Sequence, residues 1–539
     1  MEAIRQFFIF DPRSVKGSSQ YDDESITYDR PQIELFGQRV DWRDGRHYDE
    51  TDLEPYRYVG DPQLDRILDL ATKEKEENGN VDVGGRFYDT IAHCAGIYSQ
   101  LKDIRGDELK KKDMSERDLS MFYFYKHYFE NVPDWVDWTQ LQRGMDVFVQ
   151  HSIVAGLSLY YLALVPGFSI PKIAEVLKQT GYLTPPSSVK QVQARLFDTG
   201  GFLAASMLAS FESDDSNAGT DKSEGDFSAY SLRPGNEAFR LALNVRLLHA
   251  KVRRSILKKR KPLWDTESYG IPINQEDLGA TLLAFSVNVL MGVEFIAGTQ
   301  LTVNEQLDYI ALWRYIGWLL GIETREGNFG RNDPLTKIQQ HTLPPLDPCG
   351  VIDEAESNAD NAIVRARAML ESIIIHLMRP DESSREIARH LLNPREKHNT
   401  SNLETETDFM YLYKGIMCRR FIGNQLADKL ALPALCNSWK SFFAYTCTTL
   451  VLLSLRVYTL LIIRSKVFSR ITFRWHNNIL QRFLTVWRFN HSERMEGAHK
   501  NATKSLKRNV SISNISRPPV CPFGLVVPVK SSNHHLKVS

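Results

Sequence analysis

The sequence holds few of the signatures that announce a chemistry. Its six cysteines, Cys94, Cys349, Cys418, Cys436, Cys447 and Cys521, form no C-x-x-C pair. That spacing excludes a zinc ribbon and argues against a disulfide scaffold. There is no H-E-x-x-H and no pair of E-x-x-H motifs, which removes the common helical zinc and di-iron sites. No G-x-x-x-x-G-K-[ST] loop, strand-linked G-x-G-x-x-G or G-x-S-x-G elbow occurs, so no phosphate cradle or hydrolase nucleophile is expected. Net charge is also missing, because Lys plus Arg and Asp plus Glu each number 66. That balance gives no broad field for a nucleic acid, and no nucleic-acid partner is expected. The apolar patch near the N-terminus is broken by Asp11 and Pro12, too short for the core of a cleavable signal. Strand signals are scarce.

What is present is helical. The chain is 42% hydrophobic and 24% charged, ordinary for a globular protein. Its 539 residues suffice for two or three lobes. Residues 1–60 are polar and weakly periodic and read as an extended arm. From residue 61 to 435 apolar residues recur at helical spacing, as in Leu64, Ile67 and Leu68. Residues 136–167 are apolar nearly all round, which predicts one long central helix closed by Pro166 and Gly167. The stretch 212–231 is rich in Asp, Ser and Gly and reads as a solvent loop or disordered insertion. Asn274 followed by Asp277 predicts a helix start with a capping box. The fold class expected is all-α.

Charge is unevenly placed. The first hundred residues are acid-rich and the last eighty basic. Between them, residues 441–463 make about one bilayer span at the helical rise. Twelve Leu, Ile, Val and Phe residues there contribute about −0.3 to −0.6 kcal/mol each near a bilayer centre, against about +2.5 to +3.5 for Arg456. The sum favours a membrane segment at 436–464. The tail, 465–539, begins as a basic amphipathic stretch with Trp475 and Trp487, suited to anionic headgroups and to the cytosolic side. The sequons at Asn501, Asn509 and Asn514 read as chance in that topology.

The histidines outside the central helices offer no complete ligand set. His47 with Asp49, and Glu496 with His499, lie on polar segments without an obvious third ligand. His151, His376 and His390 stand alone in helical patterns and read as structural. In "VRLLHAKVRRSILKKRK" (245–261) the residues Leu241, Val245, Leu248, Val252 and Ile256 form an apolar stripe. At about 100° per residue, His249 falls roughly 60° from its centre, with Arg253 on the same side. Lys251, Arg254 and Lys258 point away. Geometry alone leaves both a structural histidine and a haem-iron ligand open.

The order of several segments resembles one family. The segments are "PDWVDWTQLQRG", "LKQTGYL", "ARLFDTGGF", "VRLLHAKVRR", "YGIPINQEDLGATLLAFS" and "YIALWRYIGWLLGI". The family is that of the ER-bound oxygenases and rubber oxygenases, which includes latex-clearing proteins and the oxygenase of the mycophenolic acid pathway. The likeness runs over about residues 120–435, and its most specific part is R-x-x-H-A-x-V-R, Arg246 to Arg253. It implies a multi-helix bundle enclosing haem b, with His249 as the iron ligand and Arg253 beside the cofactor. It also implies O2 as co-substrate, Arg195 and Thr199 as catalytic residues, and a lipophilic, isoprenoid or prenylated substrate met at the endoplasmic reticulum membrane. Two departures stand out. Asp198 occupies the place of a lysine that caps the iron in rubber-cleaving members, and the family's carboxylate base has only Glu175 as a nearby match. A membrane-anchored helical scaffold or haem-binding protein without oxygenase activity is the rival reading.

Overall fold

The computed structural model of the chain describes residues 33–35, 38–40, 47–77, 90–104, 114–181, 189–208, 230–259, 263–322, 346–350, 359–393, 409–434 and 438–508. The expected insertion at 212–231, apart from its last two residues, lies outside these, as do most of the first 46 residues and the tail beyond 508. A small hairpin pairs β1 (Ile33–Leu35) with β2 (Gln38–Val40), Ile33 opposite Val40. The rest is helical. In chain order come α1 (Glu50–Leu53), α2 (Pro62–Glu77), α3 (Thr90–Leu101), α4 (Glu116–Glu130), α5 (Trp138–Gln150) and α6 (Ser152–Gly167). There follow α7 (Pro171–Thr180), α8 (Val189–Met207), α9 (Glu237–Leu257), α10 (Thr266–Tyr269), α11 (Gln275–Phe285) and α12 (Val287–Ala297). The series ends with α13 (Val303–Leu319), α14 (Ala359–Leu377), α15 (Glu382–Leu392), α16 (Phe409–Lys429), α17 (Trp439–Arg464) and α18 (Lys466–Arg508).

Local chemistry sets many of these ends. Asn274 accepts from the Asp277 amide at 2.9 Å while Asp277 accepts from the Asn274 amide at 3.4 Å, the reciprocal capping expected from the sequence. Thr302 and Glu305 do the same for α13. Ser115 and Ser438 cap α4 and α17 through side-chain oxygens, which satisfies amides the helix leaves open.

The core lies around α9, α11, α12 and α13. Phe239, Tyr309, Trp313 and Tyr315 are fully buried there, each removing a large apolar area from water. Two sequence expectations are corrected. The helix expected over 136–167 is two helices, α5 and α6, bent by 82° at His151, whose backbone leaves the helical region at φ −109° and ψ 19°. Residues 47–60, expected in an extended arm, fold onto the body. Leu53 and Tyr56 are buried and His47 meets Glu371 at 2.8 Å. The beginning of the basic tail is the helix α18, which packs on α8 and α5.

Candidate active site

The site is built from the middle of α9. The innermost face of this helix is not the stripe read from the sequence. Ala238, Phe239, Ala242, Leu243, Arg246, Leu247, Ala250 and Arg253 are buried; of the expected stripe only Ile256 is buried, and Leu241, Val245, Leu248 and Val252 are only partly so. Two arginines sit on the deepest face because the chain supplies their counter-charges from far away. Arg246 donates from Nε to Asp61, at 2.5 Å, and from Nη2 to Gln63 at 3.2 Å. Its guanidinium also lies over the Tyr128 ring at 4.6 Å, a cation–π contact in a dry setting. Arg253 donates to both oxygens of Asp65 at 2.9 Å, to the Pro272 carbonyl at 3.0 Å and to the Ile273 carbonyl at 2.8 Å. Arg246 and Arg253 thus pin α9 to α2 on either side of His249, one turn from each.

Asp61 shows how tight this pinning is. Burial alone would raise its pKa, but the charge and hydrogen bonds of Arg246, with help from Arg253 and the Leu64 amide, bring it below the usual carboxylate value. Asp65 goes the other way, raised by burial despite the Arg253 charge. Lys251, expected to point away, is partly buried, and burial pushes its pKa down to about 8.

His249 is partly buried, and its Nδ1 is enclosed without a hydrogen-bond partner. Burial, helped by the Arg253 charge and opposed by Asp61, pushes its pKa down to about 4. The ring is therefore neutral at physiological pH, the form that gives a lone pair to a metal. His151 also has a buried ring nitrogen without a hydrogen-bond partner, so this feature alone does not single out His249. His249 differs in its setting, flanked on one helix by two paired arginines.

The loop before α11 closes the site's underside. Gly270 has φ +68°, and a Cβ there would lie 2.2 Å from the Arg57 carbonyl oxygen, so only glycine fits. The Ile271 amide donates to that same oxygen at 2.8 Å. Gln275 bridges the carbonyls of Gly60 and Gly321 at 3.0 and 2.9 Å. Behind it lies a buried charge cluster. Lys172 of α7 pairs with Glu276 and Asp277, and Arg57 meets Glu276 at 2.8 Å.

The other expected residues lie on neighbouring elements. Arg195 and Thr199 share one face of α8, which packs against α9. Arg195 is partly buried. Thr199 is exposed and its hydroxyl donates to the Arg195 carbonyl at 3.1 Å. Asp198 is partly buried. Glu175 on α7 accepts from Gln179 at 3.0 Å. His376 meets the Tyr48 carbonyl at 3.0 Å. Among the described residues, no three His, Cys, Asp or Glu side chains converge as metal ligands. Sequence reasoning missed Asp61 and Asp65. Their only trace is an i,i+4 acid pair in "DPQLD" at the start of α2.

Residues 187–451 match the family model described as ER-bound oxygenase mpaB/B'/rubber oxygenase, catalytic domain. The chain is also similar to a solved structure described as latex clearing protein LCP in the closed state. That likeness is 15% identity over 84% of this chain and 94% of the other, with a TM-score of 0.44. No curated protein matches the chain by sequence.

Proposed function

We propose that this chain, which belongs over residues 187–451 to the family of ER-bound oxygenases and rubber oxygenases, carries a b-type haem on His249. On this reading it uses O2 to cleave or oxidise an alkene in a lipophilic isoprenoid or prenylated substrate. The observation that carries the reading is the neutral imidazole of His249, with an unpartnered ring nitrogen, on a helix pinned on both sides within the family-matched segment. The donor set fits, because a haem needs one neutral imidazole from the protein. When bound, the haem supplies the activation of O2.

The chain's own residues have separate tasks. His249 would hold the haem iron through a ring-nitrogen lone pair. Arg246 and Arg253 act as positioning residues, because their donors are committed to Asp61, Asp65 and two carbonyls. They hold the His249 ring at a fixed rotation about the axis of α9. Arg195 and Thr199 are the polar groups we assign to the reacting side, on α8. The buried aromatic side chains of α13, which packs against α9, would help to keep water from the His249 side of the site. Cleavage of a carbon–carbon double bond by O2 places one oxygen atom in each of two carbonyl products and needs no external reductant. A membrane at the endoplasmic reticulum is where such a substrate would partition.

The test is spectroscopic. Full-length protein purified in detergent is expected to show a Soret band that disappears in His249→Ala. A wild type without haem overturns the reading. Asp198, in the place of the family's lysine, favours one rival, a haem-binding scaffold without turnover. Incubating the reduced protein with a prenylated aromatic acid and O2 separates the two. A chain-shortened aldehyde or acid supports the oxygenase, and its absence from a haem-loaded protein supports the scaffold.

A further inference from the structure

The C-terminal hairpin was expected to include a membrane segment, and its packing says how such a segment meets the lipid. From Ser441 to Ile462 one continuous face of α17 is buried: Ser441, Ala444, Thr448, Leu452, Arg456, Thr459 and Ile462. These recur every three or four residues and run for about 32 Å at the helical rise. The face rests on α12 and α16 and is fixed near both ends. Arg420 of α16 donates to the Tyr445 carbonyl at 3.4 Å and to Thr449, and its guanidinium lies over the Tyr445 ring at 4.2 Å. Arg456 donates to the Phe295 and Ile296 carbonyls, at 3.2 and 2.9 Å, at the C-terminal end of α12.

The opposite face is apolar and exposed. Trp439, Phe442, Leu450, Val457 and Leu461 present it on α17. On α18, which folds back so that His476 meets the Tyr458 hydroxyl at 2.7 Å, Val467, Ile471, Trp475 and Ile479 continue it. The charge around it has one sign. Arg464, Lys466, Arg470, Arg474 and Arg482 are exposed, and no Asp or Glu occurs between Asp428 and Glu493.

We infer that α17 and α18 lie flat in one leaflet of an anionic bilayer and that α17 does not cross it. A crossing α17 would take the helices packed along its whole length into the hydrocarbon. Those include α16, with Lys414, Arg419, Arg420 and Asp428, and charged groups there are costly. Lying flat keeps these contacts, sinks the apolar outer face and brings the exposed cations to the headgroup layer. This rests on the membrane part of the proposed function and concerns neither haem nor turnover.

Full-length protein is floated with vesicles of phosphatidylcholine alone and of phosphatidylcholine mixed with phosphatidylserine. Partition is expected to favour the anionic vesicles and to fall about a hundredfold in the triple variant Arg464→Gln, Arg470→Gln, Arg474→Gln, from the usual gain per cation at an anionic surface. Unchanged partition of the triple variant overturns the inference. Sidedness is read with Ala434→Cys and Lys466→Cys, one beyond each end of α17, counting labels above the wild type. An impermeant maleimide added outside sealed vesicles is expected to reach both. If one reacts only after lysis, α17 crosses and the inference falls. A dimer that floats with neither vesicle assigns the face to a second copy and also overturns it. The Soret band is recorded on the same samples. Its persistence when vesicle binding is lost keeps the failure of this inference apart from the failure of His249 ligation.

Discussion

Helices α9 and α17 both carry arginine on their innermost faces, and they are held in opposite ways. On α9, Arg246 meets Asp61, just before α2, and Arg253 meets Asp65 in its first turn. On α17, Arg456 meets backbone carbonyls at the end of α12, where the helix dipole presents partial negative charge. A carboxylate anchor is strong and directional, but it depends on ionisation and on two charges staying paired. A carbonyl anchor is weaker and insensitive to pH. The first kind stands beside the candidate iron ligand, where orientation matters to a fraction of an ångström. The second fastens an apolar helix whose outer side is free for lipid.

The comparison breaks most sharply at Asp61. Asp61→Ala leaves the buried Arg246 charge unpaired, and thermal unfolding is expected to show a loss of about 3–5 kcal/mol. Acidification comes next. The folded pKa of His249 lies below its unfolded value, so the stability tied to its neutral form is complete above about pH 6.5 and is lost as pH falls towards about 4. His151 and His127, pushed down by burial to about 4 and about 3, act in the same window. Asp61 adds its loss only below the ordinary aspartate range, because its pKa is lowered. Melting of the haem-free protein is expected to fall steadily from pH 7 to 4, less steeply in His249→Gln. An equal slope in that variant would count against the buried neutral ring.

Gly201→Ala probes the seam between the two regions. A Cβ there would stand 2.1 Å from Trp487 Nε1 of α18, and the overpacking is expected to cost about 1–3 kcal/mol. Arg456→Met leaves two carbonyls at the end of α12 without this donor but also removes a buried charge, so about 1–2 kcal/mol is expected, with no pH dependence. A loss as large as that of Asp61→Ala would erase the distinction between the two anchors. The smallest change in stability is expected at Thr199→Ala, within about 0.5 kcal/mol because the side chain is exposed. Turnover should fall while the Soret band stays, and unchanged turnover would remove Thr199 from the reacting side.

Several elements were legible before any coordinates. The capping box at Asn274 and the apolar run of α17 follow from local chemistry, which acts within a turn or two. The turn at His151 was not legible. No proline or glycine marks it, and an all-round apolar pattern fits two buried helices as well as one. The deep face of α9 was misread for a related reason. Hydrophobic periodicity treats arginine as a surface residue, and that holds unless a partner is supplied.

By itself, the sequence determined the all-α class, the capped start of α11, the neutral charge balance, the acid-free C-terminal stretch and the motif that points to His249. Only the tertiary structure decided which faces turn inward. Whether an arginine can be buried depends on the group that meets it. For Arg246 that group is Asp61, 185 residues away, and for Arg456 it is the end of a helix 160 residues away. Neither distance is visible to a local pattern, because the free energy of burying a charge is set by the partner that replaces water.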